Sequence, residues 1–165
     1  MRWYFAYGSN VSTATLVGRR GLAPSDSRPG TLAGYALTFD LPVGPGERGV
    51  GNLRRDAGAT VHGVVYLLNV ADVERLDRTE GVPGGLYDKL DVTVVTPAGD
   101  VDAFTYVSPH RDPSRKPSLR YRDIILDGAR EHGLASAWIT HLESFELAWD
   151  ERDGARNPTA TKPAR

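Results

Sequence analysis

The chain contains no cysteine. Disulfides, zinc–thiolate sites and thiol nucleophiles are excluded together. An excess of charge of one sign is also missing: 20 basic residues face 21 acidic ones, for a net charge of -1. Neither nucleic acid nor an anionic membrane surface is expected as a partner. No apolar run approaches the roughly 20 residues of a membrane span. The opening Met1-Arg2-Trp3-Tyr4 lacks the apolar stretch of a signal peptide, so a cytoplasmic location is expected. The four histidines, His62, His110, His132 and His141, show no metal-ligand spacing. No metal or cofactor is expected, and His110 lies in a loop without an evident partner.

What is present is ordinary for a globular protein: 40% hydrophobic and 25% charged residues over 165 positions. One domain over residues 1–150 is expected, with a polar, disordered tail over 151–165. Strands dominate the first two thirds. Arg2 to Tyr7 is a short apolar strand, and Thr13 to Arg20 a helical turn. Tyr35, Leu37, Phe39 and Leu41 alternate as in a strand with one buried face. Pro42 to Gly51, with four glycines and two prolines, reads as a long loop. Thr60 to Leu68 suits a central strand. Leu90 to Val94 and Val101 to Val107, joined by Pro97-Ala98-Gly99-Asp100, form a hairpin. Ser118 starts and Gly133 stops a helix whose inner face carries Tyr121, Ile124, Ile125, Gly128 and His132. A second helix buries Trp138, Ile139, Leu142, Phe145 and Trp149. The fold class is α+β: a small mixed, mainly antiparallel β-barrel with flanking helices.

Three places carry chemistry. The run Tyr4-Phe5-Ala6-Tyr7 ends abruptly in Gly8-Ser9-Asn10. Such a turn is either an ordinary strand exit or an anion-binding concavity of backbone N–H groups, to which Ser9 and Asn10 add polar side chains. Asn69 to Glu80 reads as a helix with Asn69 as N-cap and Gly81 past its end. On a wheel Glu80 follows Leu76 by four and Val73 by seven, on the apolar stripe. It either frays into solvent or is a desolvated carboxylate, and desolvation strengthens a carboxylate as a base. Tyr121 is either core or a ligand contact. Tyr87, after the mobile-looking Gly81-Val82-Pro83-Gly84-Gly85, either lines a pocket or begins a strand.

In their order and spacing these pieces resemble the γ-glutamylcyclotransferase family, also described as AIG2-like or butirosin-deacylase-like. The resemblance covers about Trp3 to Leu134. It rests on Tyr4-Phe5-Ala6-Tyr7-Gly8-Ser9-Asn10, His62-Gly63-Val64-Val65-Tyr66, Leu76-Asp77-Arg78-Thr79-Glu80-Gly81 with Tyr87 downstream, and Pro117-Ser118-Leu119-Arg120-Tyr121 through Gly128 to Leu134. It implies a small mixed barrel. It gives Glu80 the role of catalytic glutamate, Tyr4 to Ser9 that of substrate-binding strand and loop, and Tyr121 that of a substrate contact. The Pro42–Gly51 loop corresponds least to the family and is assigned to the leaving-group side.

The implied substrate is a γ-glutamyl amide whose own α-amine attacks the γ-carbonyl. The products are 5-oxoproline and a free amine or amino acid, and no cofactor is needed. Removal of a γ-glutamyl group from a secondary metabolite, cyclisation of a γ-glutamylamine, and a non-catalytic module for small polar ligands are the alternatives. A homodimer is the oligomeric state entertained beside a monomer.

Overall fold

The protein is represented by a computed structural model that describes residues 1–150 and Ala164. The tail expected to be disordered therefore lies, Ala164 apart, outside the described residues. Five strands form a closed barrel in the order β1-β3-β2-β4-β5: β1 (Arg2–Ala6), β2 (Asp26–Pro42), β3 (Gly49–Leu68), β4 (Asp88–Thr96) and β5 (Gly99–Val107). All neighbours are antiparallel except β1 and β5, which run parallel through Trp3↔Ala103 and Tyr4↔Phe104 and close the barrel. The mixed barrel with flanking helices is the fold expected from the sequence. Among the described residues three α-helices flank it: α1 (Val70–Thr79), α2 (Leu119–Glu131) and α3 (Ser136–Glu143). Among the described residues no helix is long and apolar enough to cross a membrane.

The two central strands are longer than their patterns indicate. β2 begins nine residues before Tyr35, and β3 begins at Gly49, so the two form one long hairpin. The expected Pro42–Gly51 loop shrinks to a turn over 43–48. Leu41 pairs with Val50 and Pro42 with Gly49, and the Val43 N–H donates to the Arg48 carbonyl at 3.1 Å. Gly44 (φ 62°) and Gly46 (φ 91°) supply the left-handed residues that let the chain reverse there. The missed half of β2 contains Pro29 and Gly30, which carry no alternation for a sequence pattern to detect. Gly30 is instead required by close packing: a Cβ there would lie 2.5 Å from Val94 Cγ1, across the thin β2–β4 seam joined by the single pair Thr31↔Val95.

α1 follows the sequence expectation. Asn69 caps it, its side-chain oxygen accepting from the Asp72 N–H at 2.8 Å. α2 is capped by Ser118, which accepts from the Tyr121 N–H at 3.1 Å, and stops before Gly133 at φ 64°. α3 is shorter than expected. It ends at Glu143, and Ser144 turns its N–H back onto Thr140 and His141. Trp138 and Leu142 are buried on it as expected, while Phe145 and Trp149 lie beyond its end. Phe145 is still recruited by edge-on ring contact with Phe39 at 4.7 Å. Two glycines set how closely the strand exit is held. A Cβ on Gly128 of α2 would lie 2.5 Å from the Ser12 nitrogen, so α2 packs directly on the turn after β1. A Cβ on Gly63 of β3 would lie 2.2 Å from the Ala6 carbonyl and 2.8 Å from the Phe5 ring.

The Gly63 contact generates a test. Gly63→Ala forces β1 off β3 and is expected to destabilise the fold by about 1–3 kcal/mol, as overpacking does. Urea denaturation measures it, and a wild-type midpoint would contradict the close packing of these strands.

Candidate active site

β1 runs through the barrel wall and its C-terminal end opens into a cleft of about 210 Å³. Tyr7 and Gly8 lead from the strand into a 3-10 turn over Ser9–Val11, and a π-helical turn over Ala14–Arg19 follows. Single π turns are frequent at functional sites because the extra residue re-aims the side chains around it. Here the residue that closes the turn, Arg20, points its guanidinium into the cleft. The sequence expectation of a helical turn over 13–20 is met in kind, but Arg20 was not singled out. Nothing in one sequence separates it from the other basic residues.

Glu80 is the C-cap of α1 and its side chain is 13% exposed. It does not fray into solvent. Its Oε1 accepts from Asn10 Nδ2 at 3.0 Å and lies 3.2 Å from Arg20 Nη2. Arg20 Nε in turn donates to Asn10 Oδ1 at 2.6 Å. Asn10, only 4% exposed, also directs Nδ2 at the Tyr4 hydroxyl at 3.0 Å. The expectation of an apolar surround for Glu80 is corrected. Its position on the wheel is right, but the groups that meet it are an amide donor and a guanidinium. Among the described residues, Glu80 and Arg20 are the only charged side chains lining the cleft.

Much of the remaining lining is built from tyrosines. Tyr4, Tyr7, Tyr87, Tyr106 and Tyr121 all line the cleft. Tyr7 donates to the Tyr106 carbonyl at 2.6 Å, and Tyr106 donates to Asp77 Oδ1 at 2.6 Å. Gly51, on β3, is gripped at both ends: its N–H donates to the Tyr121 hydroxyl at 3.0 Å and its carbonyl accepts from the Tyr87 hydroxyl at 2.7 Å. A Cβ at Gly8 would lie 3.0 Å from the Tyr121 oxygen, and one at Gly51 3.1 Å from it. Both glycines leave room for that hydroxyl. The Tyr121 ring stands edge-on to Phe39 at 6.0 Å. The Tyr121 ring is packed inside, and its hydroxyl, which accepts from the Gly51 N–H, lines the cleft. Tyr87 lines the pocket.

The turn Gly8-Ser9-Asn10 lines the cleft with Tyr4 and Tyr7, whereas Phe5 and Ala6 are wholly buried in the barrel and do not. Pro42, Val43, Val50 and Gly51 bring the β2–β3 turn to the cleft mouth. In the glycine-rich stretch after Glu80, Gly81 and Gly85, both left-handed, flank a 3-10 turn over Val82–Gly84. His110, expected to lack a partner, places Nε2 3.0 Å from the Gly85 carbonyl. Among the described residues no group of three or more His, Cys, Asp or Glu side chains is arranged to hold a metal ion.

A model of the AIG2-like family matches residues 60–142. The γ-glutamylcyclotransferase of Bos taurus is 33% identical over 148 residues, covering 87% of this chain and 78% of that protein. The chain belongs to the AIG2-like, γ-glutamylcyclotransferase family. The γ-glutamylcyclotransferase of Homo sapiens is 30% identical over the same shares. A solved structure described as a γ-glutamyl cyclotransferase superposes with a TM-score of 0.78 at 27% identity, covering 88% of each chain. The family's barrel is therefore the frame on which this cleft is built.

Burial raises the phenol pKa of Tyr4, Tyr7, Tyr66, Tyr87, Tyr106 and Tyr121 above its ordinary value, with desolvation the largest cause in each. These phenols are neutral donors and acceptors at physiological pH, not competing bases. Because the folded values exceed the unfolded value of about 10, their contribution to stability is complete below that pH and is lost as pH rises through the folded values. Phenolate absorbance is expected to appear for these six only together with loss of structure by circular dichroism. Early ionisation in the folded state would contradict their burial. For Tyr121→Phe the ring packing survives, but the Gly51 N–H loses its acceptor. A stability loss of about 1 kcal/mol is expected, read from urea denaturation.

Proposed function

We propose that this chain cleaves γ-glutamyl amides by intramolecular cyclisation, releasing 5-oxoproline and a free amine or amino acid. The observation that carries the proposal is Glu80. Both contacts recorded for its carboxylate fall on Oε1, so Oε2 is left to meet a substrate in a cleft with no other anion among its described lining. Family membership supplies the reaction class.

The chemistry follows from this placement. The substrate's α-amine, protonated in water, gives a proton to Glu80. The freed nitrogen attacks the γ-carbonyl, a C–N bond forms, and the carbonyl oxygen becomes an oxyanion. The Gly8–Asn10 turn, at the exit of β1, is the proposed donor surface for that oxyanion. Collapse of the tetrahedral intermediate breaks the original amide bond while Glu80 returns the first proton to the departing nitrogen. The ring nitrogen then gives its remaining surplus proton to the same carboxylate and on to the released amine, so the products are 5-oxoproline with a neutral ring amide and an ammonium group. Nucleophile and electrophile share one molecule, so the protein's main task is to fold the substrate. Such preorganisation is worth roughly 7–11 kcal/mol in well-oriented intramolecular reactions. The tyrosine wall provides that shape: its rings are rigid, and their hydroxyls are tied to Gly51, Tyr106 and Asp77. No step calls for a cofactor. Tyr4, Tyr7, Gly8, Ser9, Asn10, Tyr87 and Tyr121 are the proposed substrate-contacting residues, with Phe5 and Ala6 holding the strand behind them. A cytoplasmic location belongs to the same proposal.

The proposal is tested by incubating the protein with a panel of γ-glutamyl amides and detecting 5-oxoproline by mass spectrometry. Glu80→Gln keeps the shape and the hydrogen-bonded oxygen but cannot accept a proton. It is expected to lower kcat by about 10²–10⁴, the range for loss of a general acid–base, with an unchanged circular dichroism spectrum. A variant with near wild-type kcat would remove Glu80 from the role.

A further inference from the structure

We infer that Arg20 is the anchor for the substrate's α-carboxylate, which makes that carboxylate a requirement for efficient turnover. This rests on the cyclotransferase reading above. A γ-glutamyl group bears its amine and its carboxylate on one carbon, so the two charges are never more than a few ångströms apart. The cleft presents a matching pair. Arg20 Nη2 and Glu80 Oε1 are 3.2 Å apart, and among the described lining residues there is no second cation or anion. An amine brought to Glu80 therefore carries its carboxylate to the guanidinium.

The other ionisable side chains on the wall are tyrosines, which burial keeps neutral. They can donate hydrogen bonds to a carboxylate but cannot balance its charge. Arg20 can do both, because its planar fork suits two-point contact with a carboxylate. The fork is also aimed in advance. The Nε–Asn10 hydrogen bond of 2.6 Å fixes the plane of the guanidinium, and the side chain keeps 22% of its surface exposed. Without substrate, Arg20 compensates the charge of the largely buried Glu80. With substrate, the incoming zwitterion supplies both partners: its ammonium group pairs with Glu80 and its carboxylate with Arg20. The proton that then passes from amine to Glu80 moves within an arrangement whose net charge is unchanged.

The test compares two amides with the same leaving group. One carries a γ-glutamyl donor and yields 5-oxoproline. The other carries a 4-aminobutanoyl donor, which lacks the α-carboxylate and yields 2-pyrrolidinone. Wild-type kcat/KM is expected to favour the γ-glutamyl donor by roughly 10- to 150-fold, the range of a charge-assisted hydrogen bond. Arg20→Met is expected to collapse that preference, with most of the loss on the γ-glutamyl donor and expressed in KM. The intrinsic difference between the two amines is common to both proteins, so the ratio of preferences isolates Arg20. Arg20→Lys keeps the charge without the fork. It is expected to fall between the two, and it carries the comparison if the Met variant does not fold. Equal losses on both donors would overturn the inference and leave Arg20 as a positioning residue for Glu80. A wild-type enzyme indifferent to the carboxylate would overturn it as well. If the wild-type protein forms no 5-oxoproline from any γ-glutamyl amide, the cyclotransferase reading itself fails and the anchor falls with it. That outcome is distinct from turnover without discrimination.

Discussion

The carboxamide of Asn10 joins three parts of the chain that are distant in sequence. Its Nδ2 donates to Glu80 at the end of α1 and to Tyr4 on β1, and its Oδ1 accepts from Arg20 at the end of the π turn. An amide suits this position because it offers donors and an acceptor on one rigid plane. An aspartate there would set a second anion beside Glu80, and a leucine would leave the carboxylate and the guanidinium without their shared partner. Asn10 is almost wholly buried, so these bonds form where water does not compete and where leaving one unmade is costly. The direction of the Glu80 carboxylate, and hence the free face of its second oxygen, follows from this one side chain.

The barrel exists to hold that arrangement still. β1 lies between β3 and β5, so its exit turn is fixed from both sides. α2 presses on the same turn through the bare backbone of Gly128. Behind it the Tyr66 hydroxyl, from β3, gives its only proton to the Val11 carbonyl at 2.9 Å. The His132 nitrogen at 3.1 Å from that hydroxyl must then be the donor in their contact. Tyr121 and Tyr87 close on the N–H and the carbonyl of Gly51, on β3. Rigid aromatic walls with locked hydroxyls reduce the reorganisation that a ring-closing reaction would otherwise require.

Much of this was legible before any coordinates. α1 and α2 announced themselves by Asn69, Ser118, Gly81 and Gly133, because capping is a local rule obeyed within a few residues. The hairpin of β4 and β5 was visible in its alternation and its Pro97–Asp100 turn. The half of β2 before Tyr35 was not, since Pro29 and Gly30 have little strand propensity, and Gly30 is required by its close contact with β4. The Pro42–Gly51 segment read as a loop because glycine and proline signal irregularity, yet three of its residues, Pro42, Gly49 and Val50, pair as strand. Trp149 seemed to extend α3, but apolar residues at helical spacing can be buried by a chain that has already left the helix.

Sequence by itself determined that this is a charge-balanced, cysteine-free chain whose chemistry gathers in a strand exit, a carboxylate at a helix end and a tyrosine on a second helix. Those features are written in local patterns: periodicity, caps and turn residues. Only the tertiary structure decided what surrounds the carboxylate. A helical wheel reports which face of α1 is turned inward, and it put Glu80 there correctly. It cannot report that the inward face meets Asn10 and Arg20, because those residues come from some 60 to 70 positions earlier and reach Glu80 through barrel closure and a π turn. Arg20 was invisible for the same reason. A cation acquires its meaning from the anion it faces, and that pairing is a property of three-dimensional distance alone.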